Sequence, residues 1–478
     1  MTLMHRSAVS IAAAIRRREI SAEEVVREAI DRAGTAAPLR ALVWRNDEQA
    51  LERAQETDAA IARGEDVGPF AGVPIPVKEL TVVAGQPCTF GSLGVSDAPR
   101  DHDDLVVERL VGAGFVLFGR SNAPEAGPMS VTENRRFGVT RNPWNPAFSP
   151  AGSSGGAAVA VAAGITPVAH AGDGGGSIRM PSSATGLVGL KPSRGRVPAF
   201  VPTWEHSITD GVITRHVVDS AAVLDVLSGS DPRAPYSAPG PGRPFRDAVG
   251  ADGPRLRIGV LRDSPSGVPV DPACLEAVDA LALALEGQGH SIEPARPTLF
   301  SLEAIMGFLD IVINAWLWAT PYDDPGLAEP YILARRRRAT DFHAGEYAMA
   351  VARLYAESAQ LVTQWGRDFD LLLTPTMATT PPLVGTVLEE ANRDFAGPRL
   401  TENQMVAFTA FCNVAGLPAV SLPVHASPDG LPVGAQLVGA PFGEFDLLRI
   451  AASVEEHFGW ATRFPDPSLW SAPSSESR

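Results

Sequence analysis

Apolar residues recur at helical spacing in SAVSIAAAIRRREI (7–20) and in SAEEVVREAIDRAG (21–34), where Ser21 and Glu24 stand as a capping box. RALVWRN (40–46) has the short apolar run of a strand. DEQALERAQETDAAIARGE (47–65) has the amphipathic pattern of a helix stopped by Gly64. GVPIPVKEL (72–80) predicts a short strand interrupted by prolines, DLVVERLVGAG (104–114) a helix, and FVLFGRSN (115–122) a buried strand. GGAAVAVAAGI (155–165) has the small residues of a helix pressed on a sheet, and TPVAHAG (166–172) predicts the strand behind it. A second series follows: LRIGVL (256–261) as strand, DPACLEAVDALALALEGQG (271–289) as helix, HSIEPA (290–295) as strand. SLEAIMGFLDIVINAWLWAT (301–320) is strongly apolar and helical in pattern. FDLLLTPT (369–376), AVSLPV (419–424) and PVGAQLVG (432–439) predict buried strands. The alternation favours an α/β architecture. The Pro/Gly-rich stretch at 228–255 reads as a long surface loop rather than a domain boundary, and the tail from 465 is expected to fray.

Composition narrows the function. With 478 residues, 45% hydrophobic and 20% charged, the chain has the make-up of an ordinary globular protein with a large core. A net charge of -15 argues against nucleic acid or an anionic membrane as main partner. The one basic cluster, Arg335 to Arg338, reads as a solvated helix face. Cys88, Cys274 and Cys412 are few and far apart, which fits a reducing compartment. No His pair has metal-ligand spacing, and no cofactor or metal is expected. SAVSIAAAI precedes its basic residues where a signal peptide would follow them, and no stretch reaches roughly 18 uninterrupted apolar residues, so a cytoplasmic location is expected.

Of the 40 basic residues only Lys78 and Lys191 are lysine. A lysine can lose its proton when buried and an arginine cannot, so each lysine marks a place where arginine does not serve. Two Gly-Ser clusters lie between them, AGSSGG (151–156) and GDGGGS (172–177). Neither carries the GK of a phosphate loop. GSSGG matches a nucleophile elbow with Ser154 at its centre, but the proline-rich segment before it does not read as the required strand. A serine activated by a neutral lysine fits better. Lys78 has an apolar approach that would lower its pKa, and GDGGGS offers consecutive N–H groups for an oxyanion.

AGSSGG, GDGGGSIR with its serine 24 positions later, and GLKPSRGR together resemble the amidase signature family of amide hydrolases. GVPIPVKEL, GRSNAPE, RFGVTRNPWNP, FDLLLTPT, FCNVAGLPAVSLPV and GLPVGAQLVG extend the likeness over residues 7 to 460. The three-glycine motif looks most similar to the branch holding the 6-aminohexanoate cyclic dimer hydrolase. The resemblance implies an α/β fold with a mixed β-sheet core covered by helices on both faces, as one amidase domain over 1–478. Its signature core would span about 66–200, and about 256–460 would complete the sheet and pocket. The resemblance also implies that Ser177 is the nucleophile, that Ser153, after a cis peptide bond, bridges it to Lys78, and that Lys78 is the base. Gly174, Gly175, Gly176 and Ser177 would supply the oxyanion hole. Asp173 and Arg179 would brace the glycine turn. Ser154 would either bond Lys78 or cap a helix, and Trp316 and Trp318 would either line the pocket or belong to the core. His170 reads as a hydrogen-bonded core histidine, and Lys191 as structural. The partner expected is a small-molecule amide, with a homodimer allowed. An esterase or acyltransferase using the same acyl-enzyme, or an amide-binding protein without turnover, are the alternatives. Ala151, Gly172 and Glu79 depart from the usual Gly, Ser/Thr and Asp. Met180 stands where the glutaminyl-tRNA amidotransferase subunits carry glutamine.

Overall fold

The capping box at Ser21 closes as its spacing predicts: Ser21 Oγ accepts from the Glu24 N–H at 3.0 Å, and Glu24 accepts from the Ser21 N–H at 2.8 Å. Helix Ala22–Thr35 thus starts with both end donors satisfied. Helix Asp47–Arg63 stops at Gly64, which takes φ 78° and returns its N–H to the last turn. The computed structural model describes residues 2–397 and 399–470.

A mixed eight-stranded sheet forms the centre. In spatial order its strands are Ser291–Pro294, Arg257–Val260, Leu371–Pro375, Pro432–Gly439, Ala419–Ala426, Val188–Lys191, Thr209–Thr214 and Val168–Asp173. The first three run parallel and the remaining pairings are antiparallel. The parallel part is crossed over by helix Pro272–Gly287, as parallel strands require. A smaller sheet holds Leu42–Trp44, Val116–Ser121 and Pro74–Lys78, with the last on its edge. An edge position tolerates Pro74 and Pro76, because their missing N–H groups face away from the ladder.

Every residue of helix Gly155–Ala162 is buried. Its first turn is pressed against backbone: a Cβ on Gly156 would lie 2.4 Å from the Asn122 N and 2.7 Å from the Ala41 O. Only glycine allows that approach. The core on one side of the sheet draws on the N-terminal helices, helix Val217–Leu227 and helix Glu444–Phe458. Phe245 and Ala248 from the 228–255 connector are buried in it, so this loop is pinned to the core.

The apolar segment is helical as expected, but in three parts: Leu302–Met306, a π-helical stretch at Gly307–Val312, and Ile313–Ala319. Over Leu302–Ala319 its mean hydropathy of 1.5 and its length are sufficient to cross a membrane. It nevertheless carries Asp310, which pairs with Arg338 at 2.7 Å, and Asn314, which is buried.

Two expectations need correction. The arginine run is not a solvated face. Helix Pro330–Arg338 buries Arg335, Arg336 donates to the Leu317 and Thr320 carbonyls, and Arg338 pairs with Asp310. Those carbonyls end a helix and lack internal partners, which makes them natural acceptors for a cation. Nor does the tail fray from 465. Trp470, 7% exposed, packs into the core beyond a turn at Pro467–Leu469, and residues 471–478 lie outside the described residues.

Candidate active site

Lys78 is the last residue of its strand, and the whole strand is buried. Its N–H donates to His170 Nδ1 at 3.2 Å, and His170 Nε2 faces Asp210 Oδ1 at 3.2 Å. This network assigns the proton to Nε2. His170 is therefore held in the core between two partners. The Lys78 carbonyl accepts from Arg120 at 3.1 Å, a buried brace that carried no signal in the sequence. Glu79, next in sequence, accepts from Thr89 N–H and Oγ at 2.6 Å and from Gly91 N–H at 3.0 Å. It ties the end of the strand to the following loop.

The Lys78 ammonium meets three oxygens: Ser153 Oγ at 2.8 Å, Ser154 Oγ at 2.8 Å and the Gly172 carbonyl at 3.2 Å. Burial pushes its pKa down to about 7, against the attraction of Asp210 and Asp173, which raises it. Ser154 donates its own proton to the Gly172 carbonyl at 3.0 Å and makes no side-chain cap on the helix it precedes.

The resemblance implied a cis bond before Ser153. Gly152–Ser153 is trans, as is every described peptide bond, and the chain turns instead through two consecutive left-handed residues, Ala151 (φ 60°) and Gly152 (φ 63°). In this conformation the Ser153 N–H donates to Ser177 Oγ at 2.9 Å. Ser177 is 6% exposed.

Strand Val168–Asp173 delivers the glycine turn, which is held from below by an ion pair with no solvent exposure. Arg179 Nε and Nη2 donate to the two Asp173 oxygens at 3.0 and 2.9 Å. Burial opposes the Asp173 charge, but the Arg179 guanidinium prevails and holds the carboxyl below the usual range. Asp173 also accepts from Gly176 N–H at 2.7 Å and Ile178 N–H at 3.0 Å. Gly176 N–H is thus committed to the brace, whereas Gly174, Gly175 and Ser177 N–H find no acceptor among the described residues. Arg179 reaches on to Gln436 at 2.7 Å, Asn413 at 2.5 Å and the Thr409 carbonyl at 3.1 Å. Thr409 Oγ donates to the Gly175 carbonyl at 2.6 Å. FCNVAGLP and PVGAQLVG carried two of these partners, but no spacing tied them to Arg179.

Lys78, Ser153, Ser177, Gly174 and Gly175 open on one cavity of about 540 Å³, whose other walls include Trp204, Phe308 and Trp316. Trp318 does not reach it. Two residues along a helix point to opposite sides, and Trp318 lies 55% exposed beneath Arg336. Lys191 is buried away from the cavity and donates to the Pro192 carbonyl at 2.7 Å. Among the described residues no group of three His, Cys, Asp or Glu is placed to hold a metal.

A mixed sheet under helices thus brings a lysine and two serines to one cleft. The Amidase family profile matches residues 24–448, and the chain belongs to that family. The 6-aminohexanoate-cyclic-dimer hydrolase of Paenarthrobacter ureafaciens is 37% identical over 421 residues, covering 83% of this chain and 85% of that one. A glutamyl-tRNA(Gln) amidotransferase component from Moorella thermoacetica is 36% identical over 498 residues, covering 98% and 99%. A solved structure of 6-aminohexanoate cyclic dimer hydrolase complexed with substrate superposes with a TM-score of 0.90 at 33% identity, covering 98% of this chain and all of that one. The protein is an amidase-family hydrolase of amide C–N bonds.

Proposed function

We propose that the protein cleaves a small-molecule amide through a Ser177 acyl-enzyme, with Lys78 as base and Ser153 as the bridge. The contact of Lys78 Nζ with Ser153 Oγ at 2.8 Å, at a buried amine whose pKa lies about 7, carries this reading. Ser154 gives its proton to the Gly172 carbonyl, so it can only accept from Lys78, and that carbonyl can only accept as well. Ser153 is the one of the three partners able to donate to the lone pair of a neutral Lys78. Ser153 would pass its proton to Lys78 and take one from Ser177, whose oxygen bonds to the carbonyl carbon. The Ser153 N–H at 2.9 Å stabilises charge on that oxygen as it forms. Gly174, Gly175 and Ser177 N–H are the donors for the oxyanion. As the C–N bond breaks, Lys78 returns the proton through Ser153 to the leaving nitrogen, and water then releases the acid.

The name of the cyclic-dimer hydrolase relative points towards a non-peptide amide, and Met180 speaks against a place in a tRNA amidotransferase. The test is a mass-spectrometric screen of primary carboxamides, anilides, linear and cyclic aminohexanoate oligomers and matched esters, with Ser177→Ala alongside. Amide hydrolysis that disappears in Ser177→Ala, together with fluorophosphonate labelling of Ser177, is expected. Labelling elsewhere, or hydrolysis that survives the substitution, would remove Ser177 as nucleophile.

A further inference from the structure

The far wall of the cavity is not apolar. Arg335, 3% exposed, lines it. Arg338, in the same run, pairs with Asp310 at 2.7 Å, but Arg335 touches no group of opposite charge. Nη1 donates to Asn314 Oδ1 at 2.9 Å and to the Leu309 carbonyl at 3.3 Å, both neutral, and Nε has no partner. Burial, and then Arg399, lower its pKa only to about 10, so it stays charged at neutral pH. Arg399 and Glu402 line the same wall. Glu402 pairs with Arg399 at 2.8 Å and also accepts from Ser130 N–H at 3.2 Å and Oγ at 3.3 Å. Phe395 lies under both guanidiniums, at 5.2 and 5.8 Å. Arg335 and Arg399 share the nearby Glu402, already held three ways, and the other carboxylate close by, Asp310, reaches Arg335 only through Asn314 and is itself paired with Arg338. Arg335 is thus a buried cation with no carboxylate in hydrogen-bond contact, a state that is costly unless something supplies one. The wall near Lys78 has the opposite sign, with Asp104 and Asp210.

We propose that Arg335 is the anchor of a carboxylate subsite, so that the preferred substrate is an amide bearing a carboxylate remote from its scissile bond. This deepens the amidase reading above and rests on it. A guanidinium with a free Nε presents two parallel donors to a carboxylate, and the acidic wall around Asp210 turns the anionic end away from the reacting one. Glu402 remains with Arg399 and Ser130, and the incoming carboxylate supplies the direct partner that Arg335 lacks.

The test uses two series, monoanilides of C4–C8 dicarboxylic acids and N-acyl ω-amino acids. Each compound is paired with a counterpart of equal length ending in a methyl ketone. At least one carboxylate compound should exceed its ketone in kcat/KM by roughly tenfold or more. That ratio should collapse towards one in Arg335→Gln and survive in part in Arg335→Lys. A ratio at or below one throughout both series, or one untouched by Arg335→Gln, overturns the subsite. Should Arg335→Gln not fold, the ratio in the unsubstituted enzyme still decides. Calorimetric binding of the same pairs to Ser177→Ala separates the two readings. Selective binding without hydrolysis by the parent enzyme supports the subsite and sinks the reaction. Hydrolysis without discrimination sinks the subsite and leaves the reaction standing.

Discussion

Replacing Asp210 by asparagine tests the electrostatics of Lys78 with little change of shape, since an amide oxygen can still accept from His170 Nε2, now 3.2 Å from Asp210 Oδ1. Asp210 Oδ1 and Lys78 Nζ lie 3.5 and 3.9 Å from the point where a Cβ on Gly172 would sit, which bounds their separation at about 7 Å. At that distance, with an effective dielectric between about 20 and 80, the attraction is roughly 0.6–2.4 kcal/mol, or about 0.5–1.7 pKa units. Burial lowers the Lys78 pKa to about 7 and Asp210 opposes that, so its removal lets the value fall further. The neutral base exists above the pKa. The acidic limb of kcat/KM, with unit slope and a midpoint near pH 7, should therefore move to lower pH by about 0.5–1.7 units. At pH 6 the variant should run several-fold closer to its own plateau than the parent enzyme does. The assay is kcat/KM from pH 5 to 10 on one anilide, each profile normalised to its plateau. A limb that stays in place or moves to higher pH would refute the assignment of that ionisation to Lys78.

Gly176→Ala should lose activity and about 3 kcal/mol of stability, because φ is 131° and the new Cβ would sit 2.4 Å from Thr409 Oγ1. Wild-type urea unfolding and turnover in this variant would contradict that. Lys191→Met should be more stable than the parent at pH 7 by about 1–3 kcal/mol. Burial and then Arg179 lower the Lys191 pKa from 10.5 to about 7, so the folded state binds fewer protons than the unfolded state between those values. Its penalty is thus complete below about pH 7 and fades as pH rises towards 10.5, and the substitution should flatten that rise. Unfolding at pH 6 to 10 reads it, and an unchanged slope counts against it.

The elements with a clean period were legible in the chain: the capped helix at Ser21, the strand ending at Lys78, and the small-residue helix after Ser154. Local composition also marked the lysine, both serines and the glycine turn, through the scarcity of lysine and the two Gly-Ser clusters. What composition could not show is what each side chain meets across the fold. Trp316 and Trp318 are two letters apart and face opposite ways. Four successive arginines look alike as text, yet one is a buried cation while another, Arg337, faces solvent. Arg120, Thr409, Asn413 and Gln436 had no local signal, since their roles exist only once distant strands are paired. The trans bond before Ser153 and the commitment of Gly176 N–H to Asp173 are likewise conformational facts.

The brace under the glycine turn bears on how the enzyme comes into being. Arg179 is 234 residues from Asn413 and 257 from Gln436, both of which hold it. Contacts so distant along the chain close late, after the entropy of a long loop has been given up. A chain still being synthesised therefore carries Lys78, Ser153 and Ser177 well before it carries the groups that hold the turn in shape. On the proposed reaction, the reactivity of Ser177 would arrive with the last strands of the central sheet, and a nascent or truncated chain would be spared a serine open to indiscriminate acylation.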